Sequence, residues 1–312
     1  MPAQDRTFYD YEAYADAIQD ADLRSTFLGK KYANWKLRYL SLNNLRVQWG
    51  EVGGPGAIEG TITPGGQVML MPLQNAHAIS GNGHRFDNLS LMLMRPGGEF
   101  CLSATNYNRW LSVYVPDEFL TGSNAAVPAI AGPSCNMIRI PLHRAQRFRS
   151  AVEKLGAIVQ RQPGVFDSSA AVRTTARKLA ETVRELLRDE LDVTRPPATM
   201  CVPRRQIVRR AMDFVEQHDN EYLLVEDLAT AAGVSERTLR TAFQEYFSVG
   251  PARYLKLRTL HQARRRLKAA DPLKNTVTEI ATQLGVWELG RFAHDYHCLF
   301  GELPSETLRH QR

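Results

Sequence analysis

The sequence predicts an α+β chain of several parts. An N-terminal antiparallel β barrel or sandwich, cupin-like, carries a helical hairpin. A C-terminal all-α domain holds two helix-turn-helix units. Three observations predict this. Short runs that alternate apolar and polar residues, separated by Gly, Pro and Asn clusters, fill residues 30–140. After Pro141 the apolar period becomes helical. Near the C-terminus two similar helix–glycine–helix patterns stand about fifty residues apart.

Composition bounds the classes to consider. A chain of 312 residues with 44% hydrophobic content has room for two modest domains and a connector. The net charge is +6 and the pI about 9.2. Residues 1–130 are slightly acidic, so the basic excess lies in the last two-thirds. That distribution suits a polyanionic partner. Cys101, Cys135, Cys201 and Cys298 are far apart, with no CxxC, so neither a zinc site nor a disulfide framework is expected. The N-terminus is acidic and lacks an apolar segment, and no apolar run approaches the ~18 residues of a membrane span. These features predict a cytoplasmic protein without membrane association.

Residues 9–27 read as an acidic, Ala-rich helix or an irregular arm. WKLRYLSLNNLRVQWGEV reads as a hairpin around Asn43-Asn44. AIEGTI, GQVMLMPL, NLSLMLM, EFCLSA and RWLSVYV read as further strands, and DEFLTGS as a short helix. Evenly spaced short strands suggest a barrel or sandwich able to enclose a small molecule. Trp35, Trp49, Trp110 and Tyr114, with Tyr39, are spread over these strands. They are read two ways: as core, or as walls of an effector pocket that meets an amine by cation–π contact. Glu51, Glu59, Asp87 and Glu99 are read as surface groups or as partners for such a cation.

Phe148, Val152, Leu155 and Val159 make one apolar stripe; Val172, Ala176, Leu179, Val183 and Leu186 make a second. The hairpin, residues 141–190, packs both stripes on the β region, or turns one to a dimer seam. Residues 1–190 are thus expected to bind effector and dimerise. Residues 191–203, with three prolines, form a linker.

Residues 204–312 read as about seven helices and bind DNA. The first unit, residues 225–247, is VEDLATAAGVSERTLRTAFQEYF; the second, residues 277–301, is VTEIATQLGVWELGRFAHDYHCLFG. Each has a turn glycine, Gly233 or Gly285, ahead of a second amphipathic helix. Such a unit lays its second helix in the major groove. Ser235 and Thr276 are expected N-caps. In the first reading helix Leu239 and Phe243 face the core, leaving Arg237, Arg240, Thr241 and Gln244 for DNA. Arg pairs bidentately with guanine and Gln with adenine. In the second, placed at residues 287–299, Phe292 and Tyr296 face the core and Leu289, Gly290, Arg291 and His294 remain. That helix is poor in base readers, and docking on phosphates is its other reading. Between the units a long basic helix carries Arg253, Lys256, Arg258, Arg264, Arg265 and Arg266, read chiefly as a solvated face.

Residues 204–312 resemble the DNA-binding domain of AraC/XylS-type transcription regulators. The resemblance rests on IATQLG, Phe292, Tyr296 and the ending Phe300-Gly301-Glu302-Leu303-Pro304-Ser305. The chain has Gly285-Val286 where the family has glycine-phenylalanine, and Tyr296 where phenylalanine is usual. The resemblance implies two reading helices entering successive major-groove segments. WELGRFAHDY and FGELPSETL are more similar to the subgroup typified by ethanolamine-operon activators, which implies an amine or amino alcohol effector.

No nucleophile elbow, phosphate loop, dinucleotide fingerprint or His-x-His metal pattern occurs, so no cofactor or metal is expected. The expectation is a non-enzymatic, effector-responsive activator of a catabolic operon. Its partners would be duplex DNA, RNA polymerase, a small molecule and a second copy. The alternative is a regulator without effector, whose β domain only dimerises. A third class, an alkyl-transfer enzyme fused to the DNA domain, needs an activated cysteine, and Cys101 and Cys135 lie in apolar or Pro/Gly settings without nearby His partners.

Overall fold

The structure, a computed structural model, describes residues 3–29, 33–121, 135–187, 192–193, 204–218 and 221–309. The described residues up to 193 form one compact unit. Those from 204 onward form a second, which also takes in the short stretches 26–29 and 54–56.

The first unit opens with β1 (Ala3–Phe8), α1 (Tyr11–Asp16) and β2 (Ala21–Phe27). Only six residues of the expected acidic arm are therefore helical; strands take up both its flanks. Asp10 caps α1, its carboxylate accepting from the Glu12 and Ala13 amides at 2.9 and 3.3 Å. The expected hairpin is β3 (Trp35–Leu42) and β4 (Leu45–Val52), joined at Leu42↔Leu45 with Asn43 at φ 57°. Then come β5 (Gly56–Ile62), β6 (Gly66–Gln74), β7 (Ile79–Gly81), β8 (His84–Arg85), β9 (Ser90–Met94), β10 (Glu99–Ala104) and β11 (Asn108–Pro116). The short helix α2 (Asp117–Thr121) follows, then β12 (Cys135–Arg139). Two open sheets result, not a closed barrel. One has the order β1-β3-β4-β11-β6-β9-β12-β13 and the other β2-β5-β10-β7-β8, where β13 is Asp192–Val193. The start of the expected linker is thus a strand, Val193 pairing with Ile138. Residues 191 and 194–203 of that linker lie outside the described residues.

Helices α3 (Leu142–Arg161) and α4 (Ser169–Leu186) are the expected hairpin. Both stripes are buried in one core with the large sheet: Phe148, Val152, Leu155 and Val159 from α3, and Val172, Ala176, Leu179, Val183 and Leu186 from α4. The sheet supplies Leu40, Val47, Trp49, Met69, Leu111 and Val113, among others. Strand alternation sends their neighbours to the opposite face. There Gln48 pairs across to Ser112, Gly50 to Trp110 and Arg46 to Tyr114. That face is covered by α1 and the turn after it: Trp110 Nε1 donates to Tyr14 Oη at 2.9 Å, and the Gln19 amide donates to Gln48 Oε1 at 3.0 Å.

Among its described residues the second unit has seven helices, in line with the expected number. They are α5 (Arg204–Gln217), α6 (Val225–Ala232), α7 (Glu236–Phe247), α8 (Pro251–Ala269), α9 (Val277–Gln283), α10 (Leu289–Phe300) and α11 (Pro304–Arg309). Pro251 opens α8, where its missing N–H costs nothing. The core is largely aromatic: Phe243, Phe247 and Tyr254 have ring centroids 4.9 to 5.6 Å apart. Tyr296 stands edge-on to Phe300 and hydrogen-bonds Thr307 Oγ1 at 2.8 Å.

Candidate nucleic-acid interface

Each helix pair is set by its turn. Gly233 and Gly285 adopt φ of 69° and 73°, left-handed values that a Cβ disfavours. After Gly233, the Ser235 hydroxyl accepts from the Thr238 amide at 3.3 Å and starts α7. Ahead of α9, Thr276 and Glu279 form a reciprocal capping box. The Glu279 amide donates to Thr276 Oγ1 at 3.2 Å, and the Thr276 amide donates to Glu279 Oε2 at 2.8 Å. The second turn is longer than the sequence suggests. The α10 N-cap is Glu288, so Trp287 lies outside the helix.

On α7, Leu239, Ala242 and Phe243 are fully buried. Arg237, Arg240, Thr241 and Gln244 fall on the opposite side, all exposed. Their spacing puts them in one stripe. The Thr241 hydroxyl donates back to the Arg237 carbonyl at 3.1 Å, and Gln244 Nε2 donates to the Ser248 carbonyl at 3.1 Å. Arg237 and Arg240 have no ion-pair partner among the described residues, which leaves both guanidinium groups available.

The α10 face is different. Phe292, Tyr296 and Leu299 are buried. Leu289, Gly290, Arg291 and His294 are exposed. A Cβ built on Gly290 meets nothing within 4 Å, so this position faces open space without a side chain. Arg291 reaches Glu288 at 3.4 Å, and His294 Nε2 lies 3.5 Å from Cys298 Sγ.

The long helix α8 corrects one expectation. Arg258 is not solvated: it is 8% exposed. Its guanidinium donates to the carbonyls of Val215 (3.2 Å), His218 (2.9 Å) and Glu221 (3.4 Å), satisfying the end of α5 and the loop beyond. Lys256 pairs with Asp295 at 2.6 Å, and Arg264 with Glu302 at 3.2 Å while lying over the Phe300 ring.

The four candidate effector residues divide between the two faces of the large sheet. Trp49 pairs across to Leu111 and joins the core against α3, where a Cβ on Gly156 would lie 3.2 Å from its ring. It shares no face with Trp110 and Tyr114. Trp35 lies tilted against Tyr11, with centroids 5.7 Å apart. The Tyr114 face is occupied by Arg46, 3.8 Å above the ring, and Arg46 pairs with Asp20 at 2.5 Å. Burial pushes the Asp20 carboxyl above its ordinary range, against the opposing pull of Arg46. No local pattern signals this group, because Asp20 reaches it from a turn 26 residues upstream. Cys101, one of the thiols weighed for group transfer, is buried, and burial pushes its thiol well above the ordinary value. Among the described residues no helix is long and apolar enough to cross a membrane.

Comparison with known proteins matches this region. Residues 228–310 fit the family model of a helix-turn-helix domain. A regulatory protein of the thc operon of Rhodococcus erythropolis is 44% identical over 103 residues, 33% of this chain and 31% of that protein. Transcriptional activator 1 of the XylDLEGF operon of Pseudomonas putida is 37% identical over a stretch of the same length and coverage. The match therefore spans about a third of the length of these relatives. Among solved structures, the AraC-like transcriptional activator CuxR aligns over 85% of this chain and 96% of its own, at 14% identity and a TM-score of 0.44. The C-terminal third of the chain is a helix-turn-helix domain, similar to that of AraC/XylS-type operon regulators.

Proposed function

We propose that the whole chain is a one-component transcription regulator that acts in the cytoplasm as a homodimer. Its helical unit reads duplex DNA and its β unit answers to a small molecule. The observation that carries the reading is the α7 stripe: Arg237, Arg240, Thr241 and Gln244 exposed together, with both arginines unpaired among the described residues. In this reading Arg237 and Arg240 take guanine edges and Gln244 an adenine, while Thr241 contacts a base or a phosphate. Leu289, Gly290, Arg291 and His294 seat α10 in the next groove segment, where Arg291 and Leu289 make what base contact there is.

The relatives are operon regulators, which supports an activator of a catabolic operon that engages RNA polymerase. The effector is a small polar metabolite such as an amine or amino alcohol, held on the face of the large sheet that bears Trp110 and Tyr114, with Trp35 nearby. It acts by binding more tightly to the arrangement in which both DNA domains of a dimer reach their half-sites; equal affinity for both states would shift nothing. A second reading, a regulator with no effector, has its own support. That face is already filled by Tyr14, Gln19 and the Asp20–Arg46 pair.

The test is a footprint of the full chain on the DNA upstream of its own gene and neighbouring operons, titrated with amines, amino alcohols and carboxylates. Two half-sites strengthened or rearranged by one compound are expected. A specific footprint indifferent to every compound favours the second reading. The absence of any specific footprint contradicts both.

A further inference from the structure

The turn ahead of α10 exposes more apolar surface than its packing explains. Trp287 is 79% exposed, Tyr222 61% and Leu224 51%. All three rim one open groove of about 580 Å3, lined also by Leu255, Thr259 and Phe292. Large apolar side chains gathered on one patch of a soluble domain mark a contact surface. The groove joins both helix-turn-helix units. Leu224 and Val225 stand at the start of α6, and Trp287, Glu288 and Arg291 at the start of α10. The Tyr222 ring packs on Gly285, where an added Cβ would fall 2.7 Å from it. The charges of the groove are matched in pairs, Lys256 with Asp295 at 2.6 Å and Arg291 with Glu288 at 3.4 Å. Such a surface has no excess positive charge for phosphates. It suits the uncharged faces of sugars and bases.

We propose that this rim is a third DNA contact. Trp287, flanked by Tyr222 and Leu224, packs on the deoxyriboses of the duplex segment lying between the two grooves that α7 and α10 enter. The inference rests on the proposed reading of those helices. The occupant follows from continuity: Arg291 belongs both to the groove and to the exposed face of α10, and the groove reaches across to α6 of the other unit. Apolar side chains used in this way add contact area and favour deformable steps without reading base edges.

The test uses the full chain and the duplex it enriches from a random-sequence pool. The other three tryptophans, Trp35, Trp49 and Trp110, are buried, so iodide-quenchable emission reports Trp287. Complex formation should shield it from iodide. Trp287→Ala should weaken binding about tenfold, the scale of one aromatic contact to nucleic acid. The slope of log affinity against log salt should be unchanged, and Trp287→Phe should recover most of the loss. Undiminished quenching in the complex overturns the proposal, as does wild-type affinity of Trp287→Ala. If that variant binds DNA normally but activates transcription poorly, or changes oligomeric state, the groove takes a protein or a second copy instead. A shallower salt slope makes the contact one to phosphate and also overturns it. Failure of the wild-type chain to enrich any duplex removes the reading of α7 and α10 itself, a result separate from all of these.

Discussion

Arg240 and Arg258 stand on successive helices, and their surroundings set opposite roles. Arg240 is exposed and has no ion-pair partner among the described residues, so its five donors are available to a partner. Arg240→Ala should lower affinity for the selected duplex by ~1–3 kcal/mol and relax the choice at one base pair. Equal weakening on every sequence in a binding selection would make it a phosphate contact. Arg258 is spent inside the protein on three carbonyls. Replacing it strands those acceptors, so Arg258→Met should destabilise the helical unit by about 2–4 kcal/mol in chemical denaturation. Affinity per folded molecule should not change; a fall there would place Arg258 at the DNA. Nothing in the sequence separates these two arginines except helical phase. Arg258 breaks even that rule, because its acceptors come from the end of α5 and the loop beyond it, about 40 residues upstream. A third residue, Gly50, is fixed by a close approach. A Cβ there would lie 2.1 Å from the Trp110 ring, which is held by Tyr14. Gly50→Ala should cost about 1–3 kcal/mol, read as a lower unfolding midpoint.

At the scale of elements, the helices were legible because their signals are local. The stripes of α3 and α4, the caps Ser235 and Thr276 and the two turn glycines all lie within a few residues of what they specify. The strands β3 to β6 and β9 to β11, short apolar-rich runs bounded by turn clusters, were equally legible. The others were not. In β1 only the two end residues are buried, so no alternation shows. Of the two-residue strands, β8 is too short to show a pattern although it pairs locally with β7, and β13 exists only through its pairing with the distant β12. The site divides in the same way. The α7 stripe follows from phase alone. The fate of the tryptophans depends on which face of the sheet the hairpin covers, and so Trp49 parted from Trp110. Gly285→Ala tests the turn that aims α10. It combines a positive φ of 73° with contact against Tyr222 at 2.7 Å. We expect a loss of ~1–3 kcal/mol and weaker DNA binding. Unchanged stability would mean that Tyr222 yields without cost.

For the molecule as a whole, the two reading helices are unequal. The α7 helix presents a glutamine and two arginines that have no ion-pair partner among the described residues. The α10 helix presents a leucine, a glycine, a histidine and an arginine beside Glu288. Base choice should therefore reside mostly under α7, while α10 and the apolar rim before it contribute position and area. Under the proposed function, the β unit governs how often two such domains are held at the right separation. The measurement that tests this most directly is the affinity of the full chain for every single-base variant of its selected duplex. The account predicts a steep segment, with losses of ~1–3 kcal/mol per wrong base under α7, and a shallow segment about one helical turn away under α10. Equal steepness in both segments, or the steeper one under α10, would contradict it.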